Sequence, residues 1–339
     1  MASELIDAAE AQSEPLATRQ AYGDGLVALG ESYPEVVALD ADLAVSTQSM
    51  KFGKKYPERF FNCGAAEAGM MSMACGLAAT GKTPYASTFA VFATGRAYDQ
   101  IRLGIAHNEL KVRIGASHGG VSLGEDGASH QMIEDIALMR VLPRMQVVVP
   151  ADYNQAYRAV VDSYERSEAP MYLRFGRPST PIVYDEIPET MGRGVDVLRE
   201  GKDISIFACG HMVWRALEAA ETLSREDGVE AEVVNVAIIK PLYSETVVES
   251  LAKTGVAVTA EEHRVVGGLA DAIREVAAEQ HPVPVFALGM GDEFGVSGTA
   301  EATMQHFGLT ADGILEAARE ALLKKPIVSH PPIHGGKWS

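Results

Sequence analysis

Residues 116–131, ASHGGVSLGEDGASHQ, decide how this chain is organised. Two histidines, His118 and His130, bracket a glycine-rich segment that contains the acidic pair Glu125 and Asp126. Glycine adopts backbone conformations that other residues avoid, so the run is typical of a shaped loop. The loop follows the apolar run KVRIGA, which predicts a buried strand, and precedes a helical pattern that starts at Gln131. Polar side chains at the end of such a strand often bind ligands in α/β proteins, although a solvated loop is the alternative.

Apolar runs and helical patterns alternate on both sides of this loop. The runs that predict strands are 36–39, 60–64, 83–88, 111–117, 146–149, 171–175, 204–208, 231–237, 255–259 and 283–288. The patterns that predict helices are 18–32, 67–79, 94–106, 131–140, 153–167, 212–224, 269–278 and 311–324. The alternation predicts an α/β fold of two doubly wound domains, each with a mostly parallel sheet covered on both faces.

A proline-rich stretch of low periodicity divides the chain. We expect a flexible N-terminus at 1–14, a first domain at 15–185, a linker at 186–200, a second domain at 201–326 and a tail at 327–339. The tail contains His330 and His334, which could bind a metal, but a disordered end is the simpler interpretation.

Charge and composition exclude several classes of protein. The net charge of −17 argues against nucleic acid or an anionic membrane as the main partner, while a local basic cluster could still bind an anionic substrate. The cysteines, Cys63, Cys75 and Cys209, form neither a metal-ligand spacing nor a disulfide framework. No apolar window approaches the roughly 18–20 residues of a membrane span. We therefore expect a soluble, cytoplasmic protein.

A carboxylate and two aromatic residues are candidates for chemistry. Glu67 opens a helix of small apolar residues; the helix dipole alone explains a carboxylate there, but apolar surroundings also let a carboxyl hold or trade a proton. Phe89 and Phe92 lie just past a strand end. They could pack into the core or stack on a flat heteroaromatic ring.

Three arginines are candidates for binding an anion. Arg19, Arg174 and Arg177 occur in polar or loop contexts, and the last two flank the end of a strand. Surface salt bridges are one interpretation. A phosphate clamp is the other, because the planar guanidinium group binds phosphate in a bidentate manner.

The order of these motifs resembles that of the transketolase family. The motifs are TR at 18–19, DLAVS at 42–46, GAAE at 64–67, TFAVF at 88–92 and HGGVSLGEDGASHQ at 118–131. The resemblance covers the pyrimidine-binding and C-terminal domains, nearly the whole chain. The family's N-terminal domain, whose Gly-Asp-Gly motif binds Mg²⁺ and the cofactor diphosphate, has no counterpart in this sequence. The resemblance therefore implies the C-terminal subunit of a split transketolase, active only with a separate N-terminal subunit.

The resemblance also implies the reaction and the cofactor. A two-carbon ketol unit would pass from a ketose phosphate to an aldose, as in the pentose phosphate pathway. The cofactor would be thiamine diphosphate, with Mg²⁺ or Ca²⁺ held mainly by the partner subunit. The expected assembly is an α2β2 heterotetramer.

Roles for single residues follow from the same resemblance. The implied catalytic residues are Glu67, His118 and His130, where Glu67 hydrogen-bonds to the aminopyrimidine ring and the histidines exchange protons with substrate hydroxyls. The implied cofactor-binding residues are Asp42, Glu67, Phe89 and Phe92. The family often has a further aromatic residue three positions on, where this chain has Gly95. The implied substrate-binding residues are Arg19, Ser46, His118, Asp126, His130 and Arg177.

Other functions are compatible with parts of the pattern. They are the β subunit of a 2-oxo acid dehydrogenase, a deoxyxylulose-phosphate-synthase-like enzyme, a transketolase-like enzyme for an unusual pentulose phosphate and a non-catalytic regulatory subunit. The two histidines around GEDG, together with Arg19 and Ser46, favour a sugar phosphate over a 2-oxo acid.

Overall fold

The structure, a computed structural model, describes residues 10–325. The strands, numbered in chain order, are β1 Val36–Asp40, β2 Phe60–Asn62, β3 Thr83–Phe89, β4 Arg113–Ser117, β5 Gln146–Val148, β6 Met171–Arg174, β7 Val195–Arg199, β8 Ile204–Ala208, β9 Ala231–Val236, β10 Ile238–Lys240, β11 Ala257–Arg264 and β12 Val285–Met290. The expected tail, with His330 and His334, and most of the expected flexible N-terminus lie outside the described residues.

The helices surround these strands. They are α1 Thr18–Ser32, α2 Ala44–Thr47, α3 Met50–Lys55, α4 Glu67–Ala79, α5 Asp135–Arg140, α6 Tyr153–Glu165, α7 Met212–Asp227, α8 Ser244–Thr254, α9 Leu269–Gln280, α10 Ala300–His306 and α11 Ala311–Leu323, with a 3₁₀ turn at Pro57–Arg59 and π-helices at Phe92–Arg96 and Gln100–Ala106. Within residues 10–325, no helix combines the length and apolar character needed to cross a bilayer.

Two sheets dominated by parallel pairs form the framework. The first has seven strands in the order β10-β5-β6-β4-β3-β1-β2, and the second has five in the order β12-β11-β8-β9-β7. Only β10 in the first sheet and β7 in the second run antiparallel to their neighbours. The predicted α/β class is therefore confirmed.

Both faces of each sheet are buried. Along β1, Val37 and Leu39 belong to one apolar cluster while Val36 and Ala38 belong to another. This division arises because successive side chains of a strand point to opposite faces. The same alternation occurs along β9 in the second sheet. Helices on both faces cover these apolar side chains, as expected for a doubly wound fold.

Several predicted elements differ in detail. The stretch expected to be a linker contains β7, which pairs antiparallel with β9, so regular structure begins again at Val195. The helix expected over 94–106 is instead a pair of π-helices, whose wider turn a periodicity analysis does not distinguish from an α-helix. The helix expected from Gln131 begins at Asp135, because the main chain of Met132 pairs with Gly120, whose N–H donates to the Met132 carbonyl at 2.7 Å.

The second half of the chain is attached firmly to the first. Strand β10 follows β9 directly but lies at the edge of the first sheet, with Ile238 opposite Val148 and Lys240 opposite Val147. This strand therefore belongs to the second half in sequence and to the first domain in space. The expected boundaries of the two domains stay a prediction. They do not take into account that β10 pairs with the first sheet although it follows β9 in the chain.

Candidate active site

Polar side chains collect at one edge of the first sheet. Strands β1, β3, β4 and β6 are parallel neighbours, so their carboxyl ends lie side by side. Phe89 is the last residue of β3, His118 follows β4 directly, and Arg177 follows β6 by three residues. His118 has a φ of 63°, a left-handed conformation that is uncommon outside glycine and is often found at functional sites.

An aromatic and histidine cluster forms the centre of this edge. The Phe89 and His118 rings stack with centroids 3.8 Å apart, and the Phe89 and Phe92 rings stack at 5.8 Å with an interplanar angle of 12°. The His130 ring meets both phenylalanines edge-on, at 6.3 Å from Phe89 and 5.3 Å from Phe92. Four residues from two separate motifs are thus joined by ring contacts.

Burial keeps His118 neutral. Its pKa is lowered to about 3, first by burial and then by the positive charges of Arg19, Arg177 and His130 nearby. Its Nδ1 atom lies 2.8 Å from the Ser117 hydroxyl oxygen, and this contact fixes the orientation of the ring. A neutral imidazole in this position can accept a hydrogen bond or a proton at physiological pH.

The loop after β1 is built on a buried carboxylate. Asp40 ends β1 and accepts hydrogen bonds from the hydroxyls of Thr47 at 2.7 Å and Ser49 at 2.9 Å. The turn that these bonds fix contains Ser46, whose carbonyl oxygen accepts a hydrogen bond from Arg19 at 2.7 Å. The loop therefore holds Arg19 and Ser46 together next to the cluster.

Two arginines give this edge its positive charge. Burial and the neighbouring Arg177 lower the pKa of Arg19, which shows that the two cations lie close together. The Nε atom of Arg19 is buried and has no hydrogen-bond partner among residues 10–325. Arg177 is half-buried and pairs with Glu125 at 2.8 Å. An unpaired buried donor beside a second guanidinium group suits an anionic ligand.

Arg174 has a different role. Its Nε donates to the carboxylate of Asp135 at 2.7 Å, and both side chains are buried. It also donates to the main-chain carbonyl of Glu262 in the second half of the chain, at 3.0 Å. Of the two arginines that flank the end of β6, Arg177 is the one that bonds to the loop between His118 and His130, at Glu125 and at the Leu123 carbonyl.

Glu67 reaches the cluster through a residue that the motifs did not indicate. It is the first residue of α4, only 5% exposed, and its carboxylate accepts a hydrogen bond from Arg96 at 3.1 Å. The Arg96 guanidinium also lies over the Phe92 ring, 4.2 Å from the centroid. The only sequence signal for Arg96 is its position one helical turn after Phe92.

Two predicted residues remain apart from the cluster. Asp42 is exposed in a left-handed conformation after β1 and accepts a hydrogen bond from Asn62 at 3.0 Å. Asp126 is exposed at the tip of the GEDG turn. In the described part of the chain, no hydrogen bond or ring contact joins either carboxylate to His118 or His130.

Family models match both halves of the chain. Residues 14–182 match the model described as "Transketolase, pyrimidine binding domain", and residues 194–314 match "Transketolase, C-terminal domain". Together the two models span most of the described residues; the first covers the first sheet except β10, and the second covers the second sheet together with β10.

Similar proteins share nearly the full length of the chain. A "Putative transketolase C-terminal section" of Methanocaldococcus jannaschii is 42% identical, over 91% of this chain and 96% of that protein. A "6-deoxy-6-sulfo-D-fructose transketolase subunit" of a Clostridium species is 39% identical, over 91% and 95%. A solved structure described as "Split gene transketolase, inactive beta4 tetramer" is 48% identical with a TM-score of 0.85, over 92% of this chain and all of that one.

Proposed function

The chain belongs to the transketolase family as a C-terminal section, and we propose that with an N-terminal partner subunit it transfers a two-carbon ketol unit from a ketose phosphate to an aldose. One observation carries this proposal. The aromatic and histidine cluster of Phe89, Phe92, His118 and His130 lies close enough to the basic pair of Arg19 and Arg177 for their positive charges to lower the pKa of His118. A cradle for a flat ring next to a clamp for an anion suits a ring-bearing cofactor that works on a phosphorylated sugar.

The residues present fit the pyrimidine end of thiamine diphosphate. Glu67 is buried and bonds to Arg96 through one carboxylate oxygen, while its other oxygen has no hydrogen-bond partner among residues 10–325. That oxygen is available to a ring nitrogen of a heteroaromatic group. Phe92 is half-buried, so its ring is accessible for stacking. When bound, thiamine diphosphate supplies the nucleophilic carbon that carries the two-carbon unit between substrates.

The side chains of the cluster, together with Glu67, then each have a role in the reaction. Glu67 holds the pyrimidine ring and shares a proton with it, and Phe89 and Phe92 stack on that ring. His118, kept neutral by burial, accepts a proton or a hydrogen bond from a substrate hydroxyl, and His130 does the same from the other side of the cluster. Both imidazoles can return the proton when the second substrate is bound.

The remaining predicted residues bind the sugar and the edge of the cofactor. Arg19 and Arg177, with Ser46 at their side, hold the terminal phosphate. Asp126 reads the configuration of the sugar C2 hydroxyl, and Asp42 lies near the cofactor. Because the similar Clostridium subunit is named for a sulfo-sugar, a terminal sulfonate is the second anion to test at the arginine pair.

The partner subunit completes the site, because it binds the diphosphate and Mg²⁺. The two subunits form an α2β2 assembly in the cytoplasm. Its substrates are pentose phosphates. Two descriptions of similar proteins support this division of labour: one is a separate C-terminal section, and another is a split-gene chain whose β4 tetramer is called inactive.

The test is reconstitution. We expect no turnover by the purified chain alone, and ketol transfer when a candidate N-terminal subunit is added. The assay should use a panel of phosphorylated, sulfonated and uncharged ketoses. Glu67→Ala should abolish turnover with the fold intact, whereas Glu221→Ala, on the exposed face of α7, should leave turnover unchanged. A fully active isolated chain, or near-normal rates in Glu67→Ala, would contradict the proposal.

A further inference from the structure

We propose that Gln131 is a positioning residue through which the second domain fixes the loop Gly119–His130, called here the site loop. The proposal rests on the proposed function, because the site loop contains the substrate-facing residues Asp126 and His130. Gln131 follows this loop directly and is 4% exposed. The proposed function gives Gln131 no contact with substrate or cofactor. Any effect of Gln131 on the reaction must therefore act through the residues of the site loop.

One amide group joins the two domains at this point. The Gln131 Nε2 atom donates to the carbonyl oxygens of Val121 at 3.2 Å and Gly124 at 3.3 Å, both in the site loop. It also donates to the carbonyl of Val296 at 2.9 Å, in the loop that leads into α10 of the second domain. The site loop and the second domain therefore share one donor.

The site loop and the loop that leads into α10 also pack so closely that no side chain fits at the glycines between them. A Cβ atom built on Gly295 would lie 1.7 Å from the Gln131 Oε1 atom, and one on Gly127 would lie 2.3 Å from the Ser297 hydroxyl oxygen. The Thr303 hydroxyl of α10 donates to the Val121 carbonyl at 2.9 Å. The shape of the site loop thus depends on contacts with the second domain.

The site loop has few bonds of its own. Three main-chain hydrogen bonds form turns within it. The N–H groups of Gly124, Gly127 and His130 donate to the carbonyls of Val121, Gly124 and Gly127, at 3.1, 3.1 and 3.0 Å. Glu125, which pairs with Arg177, and Asp126 are exposed at its tip. Without the Gln131 amide, the tip keeps its bonds to Arg177 at Glu125 and at the Leu123 carbonyl, but the loop loses its tie to the Val296 carbonyl of the second domain.

The residues proposed to bind the cofactor belong to other elements of the fold. Glu67 opens α4 and Phe92 opens the first π-helix, and neither bonds to Gln131. Phe92 meets the site loop at the edge of the His130 ring, with the ring centroids 5.3 Å apart. Loosening the site loop should therefore weaken sugar binding and leave cofactor binding unchanged. If Gln131 had a purely structural role, its loss would instead lower the stability of the chain and weaken sugar binding and cofactor binding to the same extent.

Two variants test the tether from opposite sides. Gln131→Ala removes the amide, and Gly295→Ala forces a methyl group against it from the second domain. Gln305→Ala, an exposed glutamine on α10, is the matched control. Hydrogen exchange of residues 119–131 is measured on the full chain, and the sugar KM and the cofactor Kd are measured on the assembled complex.

We expect faster exchange across the site loop and an increase of about tenfold in the sugar KM in both variants, since about one net hydrogen bond is lost. The cofactor Kd should stay within about twofold, and Gln305→Ala should match the wild type. Unchanged exchange, or a sugar KM and cofactor Kd that rise together, would overturn the proposal. A wild-type complex without ketol transfer would refute the proposed function instead, and the exchange data would still decide the tether.

Discussion

Replacing Arg174 with methionine should destabilise the chain strongly, although Arg174 lies only three residues from the proposed substrate ligand Arg177. The Asp135 side chain is completely buried and that of Arg174 is 6% exposed. Two bonds join them, from Nε at 2.7 Å and from a terminal nitrogen at 3.2 Å. Burial alone would raise the pKa of Asp135, but Arg174 and His263 hold that pKa below its usual value. Arg174→Met leaves this carboxyl group buried without its main partner, so that it must either carry an uncompensated charge or take up a proton.

The expected loss in the free energy of unfolding is about 3–5 kcal/mol, the usual cost of removing one member of a buried ion pair. Arg174 also donates to the main-chain carbonyls of Met132 at 3.2 Å and Glu262 at 3.0 Å, so the loss should lie toward the upper end. Tyr172 still donates to Asp135 at 2.6 Å and offsets a part of it.

Urea denaturation of the full chain measures the effect. Arg174→Met should lower the midpoint strongly with an unchanged slope, and the double variant Arg174→Met, Asp135→Leu should recover most of the loss. Arg177→Met is the matched control, because Arg177 is half-exposed and pairs with an exposed glutamate; its effect should stay within about 1 kcal/mol. A loss below about 1 kcal/mol in Arg174→Met, or an equal loss in Arg177→Met, would refute the assignment of a structural role to Arg174.

Two further variants address the site itself. Arg177→Ala in the assembled complex should raise the KM for phosphorylated acceptors roughly 10- to 100-fold, the effect of one charge-assisted hydrogen bond, and equal losses on uncharged acceptors would contradict a phosphate clamp. His118→Gln should reduce the acid sensitivity of folding: the folded pKa of about 3 lies below the unfolded value, so the stabilisation is complete above about pH 6.5 and is lost as the pH falls toward 3. Between pH 7.5 and pH 5 the wild type should lose about 2 kcal/mol more stability than His118→Gln, and identical pH dependence in both proteins by urea denaturation would show that His118 is not held neutral.

Much of the framework could be predicted from local patterns. The alternation of apolar runs and amphipathic stretches was sufficient for the two parallel sheets, because each buried strand must be apolar on both faces. The family resemblance is also confirmed. His118 and Phe89 were each expected near a strand end, but their contact becomes evident only from the pairing of β3 with β4, which brings the carboxyl ends of both strands to one edge. The catalytic and binding roles of these residues stay predictions.

Contacts between distant residues could not be predicted in the same way. Arg96 and Glu67 are 29 residues apart, and no pattern in either segment specifies their pairing. Gln131 has the sequence context of a helix start, yet its side chain satisfies main-chain carbonyls of two loops, one of them 165 residues away. Strand β7 lies at a sheet edge and only its first side chain, Val195, is buried, so it lacked the continuous apolar run by which most other strands were predicted.

The exchange of β10 between the halves has a consequence for biosynthesis. Its three residues cover the free edge of β5, an edge whose open main-chain groups would otherwise be free to recruit a strand from another molecule. The ribosome releases this strand only after β7, β8 and β9 have emerged. The first sheet therefore stays incomplete until β10 has emerged, and the edge of β5 is open to pairing with another chain during that interval.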